Sequence, residues 1–567
     1  MNPSWKTCSC LFTLAVLVWL VGCGGEATPA PTPSPTPAPT PTPTPIPPGT
    51  AAPIRIQAQE RLVVGVRYDM PPFCFVTEEG DLEGFDIDLA RELARRWLGN
   101  PEAVEFRQVR SDTAADHILS EDVDLTLSAL LHTQGAEEQV DFGPPVFEDG
   151  QALLIRTADA VSITTPLSLA GHLVAVVAGS GASSALWATV PFTPSLVAYD
   201  NFDQALDALA RGEVSAVADL RHRLVRGMNR LPGTMIVGQY SSAFLAPAYG
   251  PEQPGFANLV AFTFQDLFAD GTFAGLYGRW FPGDSPPAHE NWPGEVMTTL
   301  EAAGRMARQV DTIYAIQVRG RMRVAMLIDR YPFSYLDDNG TADGYEVHLA
   351  RVLAERWLGD RTAVDFIPVS EVEGMRMVTN GEADMLIGAL AHTREMELQA
   401  DFSLTTYVGG EGIMIQAGTP LEGIASLNGQ TVAVVQGSDS AEVLRQASEG
   451  ARIVLTILPQ PTLEEALAAL AAGEAMAVVG QRVDLLGPAY LTPGVGLTAH
   501  RLTRVPIGLV LPPGDSHFRD RVNLTLQALQ WDGTLPAVYW QWFDDDPPQM
   551  PPWPGEPTQP LHITLSP

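Results

Sequence analysis

Hydroxyls, carboxylates and histidines recur through this chain at matching points, and their types could hold a polar group or a charge. Thr133 and Thr393 each follow a histidine, His132 and His392. Ser180, with Ser183 shortly after it, and again Ser438 with Asp439, sit at or just past Gly-Ser steps that open helical runs. Backbone amides and hydroxyls at such a point hold an anion or a polar group, with plain helix capping as the alternative. Asp69, Asp219, Arg394 and Gln481 add charge and hydrogen-bonding capacity, and Phe73 and Phe333 offer aromatic walls or core packing. No Ser/His/Asp set, phosphate-binding loop or matched pair of carboxylates stands out, so no catalytic residue and no cofactor are expected. The two histidines lack partners at ligand spacing, which argues for a structural or wall-lining role over a metal.

These residues come in pairs because the chain repeats itself. Residues 64–142 reappear without a gap at 324–402. Gly84-Phe85-Asp86-Ile87-Asp88-Leu89-Ala90-Arg91 returns as Gly344-Tyr345-Glu346-Val347-His348-Leu349-Ala350-Arg351, and Asp141-Phe142 as Asp401-Phe402. Later the offset drifts slightly: Tyr277, Trp280 and Phe281 pair with Tyr539, Trp542 and Phe543. Trp292 to Glu295 and Trp553 to Glu556 repeat one motif, expected to close each copy. A period this long marks a duplicated domain, not a solenoid.

The length of 567 residues then divides into two bodies, each large enough for a two-lobed α/β core. A net charge of −33 excludes phosphate-neutralising nucleic-acid binding and docking on anionic lipid by charge alone. The acidity fits a solvated surface, with steering of cationic ligands as the sharper alternative.

The N-terminus is expected to direct export. Lys6 precedes the short apolar run Cys8 to Val21, which is brief for a membrane span. It ends at Leu20-Val21-Gly22-Cys23, which resembles a bacterial lipobox; that resemblance implies lipidation of Cys23. Residues 1–22 are then the signal and 23–54 a Pro/Thr-rich stalk, of which Ala27 to Pro53 in polyproline II would span on the order of 80 Å. Cys74 is left alone in an apolar run, as a packing residue. The expected order continues with a domain over 55–295, a helical connector over 296–318, a second domain over 319–557 and a tail over 558–567.

Elements that would position the candidates are legible. Leu62-Val66, Phe73-Val76, Val104-Val109, Val123-Leu130 and Leu173-Val177 read as strands. Phe85, Leu89, Leu93 and Trp97 share one helical face opened by Gly84. Asn201 and Gly212 bracket another helix, and Thr462 with Glu465 forms a capping box. Alternation of strand and helix predicts parallel α/β layers.

With these motifs in order, each copy resembles the bacterial family 3 extracytoplasmic solute-binding proteins, the polar amino-acid receptors of ABC transporters. The resemblance rests on Val64-Gly65-Val66, Pro71-Pro72-Phe73, the Gly84 run, Asp124 through Asp141-Phe142 and Val176 to Ser180, with counterparts in copy two. It implies two tandem periplasmic-binding-protein-like (type II) domains, each of two α/β lobes with a hinge and the ligand between them. Lobe one would take 57–157 and 243–284 in copy one, and 319–417 and 503–545 in copy two. In family members that bind α-amino acids, an arginine three positions after the threonine clamps the ligand carboxylate, a bidentate task. Here those positions hold Ala136 and Met396, and the position of the ammonium-binding acid holds Arg67 and Leu327. The expected function is capture of a small polar solute other than an α-amino acid in the usual pose, for an ABC permease or a sensor. Alternatives are an enzyme of the same fold, similar to cyclohexadienyl dehydratases, and a scaffold whose clefts no longer bind.

Overall fold

Gly84 and Gly344 open the same helix in the two copies, and the reason is steric. In the computed structural model their φ angles are +139° and +125°, and a Cβ on either would meet the carbonyl oxygen of Phe73 at 2.1 Å or of Phe333 at 2.3 Å. That close approach lets Pro72 and Phe73 carbonyls accept from the amides of Phe85 and Asp86, at 2.9 and 2.8 Å. The helix Phe85–Leu98, and its partner Tyr345–Leu358, thus begins with its free amides satisfied by the preceding loop. The structure describes residues 47, 49–178, 182–304, 311–421, 423–543 and 545–563.

Each copy contains two separate five-stranded sheets, one for each lobe, beside smaller ones. In copy one the first sheet runs Val104–Gln108, Leu62–Val66, Leu125–Thr126, Ala248–Tyr249, Asp141–Phe142. The second runs Ser195–Tyr199, Leu173–Val177, Ala216–Leu220, Gln151–Arg156, Thr234–Val237. Copy two repeats both orders, from Val364–Pro368 to Asp401–Phe402 and from Thr456–Gln460 to Val495–Arg501. The antiparallel pair Phe147–Asp149 with Ala243–Leu245 crosses between lobes, and Tyr407–Gly409 with Val505–Ile507 does so in copy two. The expected strand over Val123-Leu130 is only Leu125–Thr126, because the chain turns at Ser128, where φ is +45°.

Phe73 is fully buried in an aromatic cluster with Phe85, Phe147 and Phe281, at ring-centre distances of 5.0–6.4 Å. Phe333 is equally buried against Tyr345, Tyr407 and Phe543. These clusters tie lobe one to the crossing strand and to the last helix of each copy. Both rings thus take the core packing that the sequence offered as the alternative to an aromatic wall.

The connector differs from a single helix. Its described residues form two short helices, Leu300–Ala303 and Thr312–Arg319. The first packs in the core of copy one: the carbonyl of Ala303 lies where a Cβ on Gly255 would sit. The second belongs to copy two, with Ile316 fully buried there. It corresponds to Ala52–Gln59, where Ile56 fills the same place in copy one. Each copy therefore begins with a helix slightly ahead of the boundary the sequence suggested.

Candidate functional site

Two regions gather the polar residues of the chain: the clefts between lobes and the seam between copies. The copy-one cleft is a cavity of about 650 Å³, within the range of small-molecule sites. From lobe one it takes Arg67, Asp69, Thr133 and Ala136; from lobe two, His222, Arg223 and Arg226. Arg67 grips Asp69 with two nitrogens at 3.1 and 3.3 Å and reaches Ser111 Oγ at 3.1 Å. The hydrogen bond from Arg67 chiefly holds the Asp69 carboxyl below its ordinary range. On the facing lobe, His222 Nδ1 lies 2.5 Å from Asp149 Oδ2, and the His222 amide donates to Asp149 Oδ1 at 3.1 Å. Arg223 approaches Asp219 at 3.5 Å, while Arg226 is exposed and has no ion pair among the described residues. The cleft thus offers guanidinium groups from both lobes, but none at the position three after Thr133.

Asp69 and Thr133 are the candidates brought to this cavity. The Thr133 hydroxyl is already engaged, accepting from the Ala136 amide at 3.1 Å as a helix cap. Thr393 does the same for Met396 at 3.2 Å. Asp219 is fully buried beneath the cleft; its carboxylate accepts from the Leu220 amide at 2.8 Å, and burial pushes its pKa up. Ser180 lies outside the described residues. Ser183 is half-buried on the helix Ala182–Thr189 and does not line the cavity. Ser438 is exposed and donates to the Val435 carbonyl at 2.7 Å, and Asp439 is exposed ahead of the helix Ser440–Ala451. Gln481 donates to Glu411 at 2.8 Å, a contact within copy two.

His222, Arg223 and Arg226 were missed as cleft residues. A signal existed: Arg221, Arg223, Arg226 and Arg230 crowd into ten residues of a strongly acidic chain. What the sequence hid was that the helix Arg221–Arg230 starts directly at the cleft edge of the second sheet.

Arg394 was expected near the missing clamp or exposed. Instead it is buried at the seam, donating to Gln265 at 3.1 Å, pairing with Asp266 at 2.9 Å and lying over the Phe262 ring. The histidines lead to the same place. His132 stacks between Phe142 and Trp553, each 4.2 Å away; His392 stacks between Phe402 at 4.3 Å and Trp292 at 4.0 Å. So each Trp-Pro-Gly-Glu segment docks on the other copy rather than closing its own. Main-chain bonds fix the exchange: the Gln134 amide donates to the Pro554 carbonyl at 3.1 Å, and the Arg394 amide to Pro293 at 2.9 Å. At the centre, Arg519 lies 3.1 Å from Asp141 of copy one and 3.6 Å from Asp401 of copy two, with Asp520 at 4.0 Å. Burial pushes the Asp401 carboxyl up to about 7 and that of Asp520 well above its ordinary value.

Among known proteins, the "ABC transporter glutamine-binding protein GlnH" of Bacillus subtilis is 25% identical over 239 residues, spanning 42% of this chain and 86% of that protein. A "Glutamine-binding protein" of Geobacillus stearothermophilus is 28% identical over 201 residues, spanning 35% of this chain and 75% of that one. The solved L-cystine solute receptor of Neisseria gonorrhoeae is 23% identical, with a TM-score of 0.36, and covers 42% of this chain and 98% of its own. The family profile matches twice, over 62–283 and 322–545, most of the chain. Two hinged bodies in series, each with the family's sequence pattern, show that this chain belongs to the bacterial extracellular solute-binding proteins, family 3, as a tandem pair.

Proposed function

We propose that this protein is an extracytoplasmic receptor that captures a small polar solute in the copy-one cleft and presents it to an ABC permease or a sensor. The observation that carries this is the roughly 650 Å³ cavity between lobes, with ionic groups on both walls. Contacts made by one ligand with both lobes are what drive closure of such a clamshell. The solute is not an α-amino acid in the usual pose. With Ala136 at the clamp position and Arg67 in place of the acid, a zwitterion held that way would have an unpaired carboxylate and an ammonium facing a guanidinium. Arg226 and Arg223 favour a solute that turns an anionic group toward lobe two. Cys23 would carry the lipid anchor and residues 23–54 the stalk that holds the receptor off the membrane. Binding without turnover is the reading, in keeping with relatives named as binding proteins.

Calorimetric titration tests the ligand class. Glutamine, arginine and glutamate should give no saturable heat, whereas solutes released from the purified protein and identified by mass spectrometry should rebind. Tight binding of any of the three amino acids overturns the exclusion. Consumption of arogenate or prephenate would replace the receptor reading with an enzymatic one.

A further inference from the structure

The two clefts occupy equivalent places but are built from opposite materials. Where copy one has Arg67, copy two has Leu327, and that side chain is buried in an apolar cluster with Leu386 and Leu390. Ala136 becomes Met396, which packs against the same cluster. His222 becomes Val483, and Arg226 becomes Gly487. The consequences cross the cleft. Leu486 and Val483, from the lobe-two helix Arg482–Leu491, join the hydrophobic core of lobe one. In copy one the corresponding apolar cluster takes no apolar residue of lobe two; there the same helix meets it through polar side chains, His222 edge-on to Phe73 at 6.0 Å and Arg221 over Phe147 at 5.4 Å.

Polar contacts follow the same line. Met70 and Arg223 of copy one are replaced by Arg330 and Asp484, which pair across the lobes at 3.1 Å. The Tyr331 ring meets Tyr490 edge-on at 6.4 Å. A Cβ on Gly487 would lie in van der Waals contact with Tyr331, 3.5 Å from its carbonyl oxygen and 4.0 Å from its ring, so this position packs directly against lobe one. At the rim, Asn229 and Arg230 give way to Tyr490 and Leu491.

We propose that copy two is latched shut by its own residues, Arg330 with Asp484 over an apolar seal of Val483, Leu486, Tyr331 and Tyr490, so that the chain takes one solute, in copy one. A half-exposed ion pair adds little by itself, so the apolar seal carries most of the closure and the ion pair sets its register. Copy two then serves as a fixed body against which copy one is braced through the seam.

The stoichiometric consequence rests on the reading of copy one as the solute site, but the latch is tested without any solute. Spin labels placed in full-length protein at Asn339→Cys and Glu474→Cys report the lobe separation of copy two by pulsed dipolar spectroscopy. Glu79→Cys with Glu213→Cys reports that of copy one. All four positions are exposed. Wild-type copy two should give one narrow distance distribution. Gly487→Arg, which wedges the seal, should shift it to longer distance, and so should Leu486→Glu. Arg330→Asp should broaden it, and adding Asp484→Arg should restore the narrow form. A broad or two-peaked distribution in the unmodified latch would overturn the proposal. So would a distribution that Gly487→Arg leaves in place while the copy-one distance shows the protein folded. Two moles of any rebinding solute per mole of chain would refute the one-site consequence alone.

Discussion

The clefts of the two copies have diverged, while the seam between the copies has stayed almost two-fold symmetric. His132 and His392 stack in the same way on Phe142 and Phe402, and each receives the tryptophan of the opposite copy. Yet Arg67, His222 and Arg226 of one cleft face Leu327, Val483 and Gly487 in the other. The seam has to be matched on both sides, because a change on one copy strands a partner on the other. A cleft answers only to its own ligand, so after duplication one cleft is free to fill with its own side chains. The seam's symmetry is broken where Arg394, Arg519 and Asp520 of copy two stand opposite Gln134, Ala257 and Asn258 of copy one. Asn258 donates to the Glu397 carbonyl at 3.2 Å, and its counterpart Asp520 faces copy one from the matching helix turn. A protonated Asp520 would supply the donor that Asn258 supplies by its amide.

The largest expected effect comes from breaking the centre of the seam. Arg519→Met leaves Asp141, Asp401 and Asp520 buried without a cation and should cost about 3–5 kcal/mol at neutral pH in a denaturant titration. A loss under 1 kcal/mol would show that the seam is not load-sharing between the copies. Next, the two exchanged tryptophans should separate by burial. Trp553 is buried and its change to Ala should cost about 3 kcal/mol or more, whereas Trp292 is half-buried and should cost about 1–2 kcal/mol. Equal losses would contradict the packing difference.

Both copies also bury an acid in the first turn of the first long helix, and these set a pH dependence. Burial pushes Asp86 and Glu346 each up to about 7, against the Ser128 hydroxyl in one copy and the Gly388 and Ala389 amides in the other. With Asp401, the folded state holds protons that an unfolded chain releases above a pH of about 4. Unfolding free energy should therefore fall as pH rises from about 4 to about 7, and flatten beyond as these groups finish titrating. Melting points that climb steadily over that window would reject the protonated acids. Asp520→Asn should raise stability by about 1 kcal/mol at pH 8 and less at pH 5, since the amide donates at every pH. The smallest effect belongs to the cleft pair: Arg330→Ala should change global stability by about 0.2–1 kcal/mol. Its action is on lobe separation, not on unfolding.

Much of this was legible from residues. The repeated Gly84 and Gly344 runs, the capped helices at Asn201 and Thr462, and the paired strands fixed two α/β copies, because propensity and periodicity act over short stretches. Thr133 and Asp69 line the copy-one cavity, as the resemblance to the family placed them. Arg394 was misplaced because proximity in a motif does not say which side of a sheet edge a side chain takes, while Phe73 and Phe333 took the core packing offered as the alternative to a wall. The exchange of Trp292 and Trp553 was invisible for a related reason: a short Pro/Trp/Gly segment can reach its own copy or its neighbour equally well.

Sequence alone determined the duplication and the lobe architecture, since each is a matter of which residues recur at given spacings. Only the tertiary structure decided that the histidines and Arg394 join the copies, and that Val483 and Leu486 reach across to the opposite lobe. Those contacts join residues far apart in the chain, and the free energy of burying apolar surface depends on who ends up adjacent, which no local pattern records.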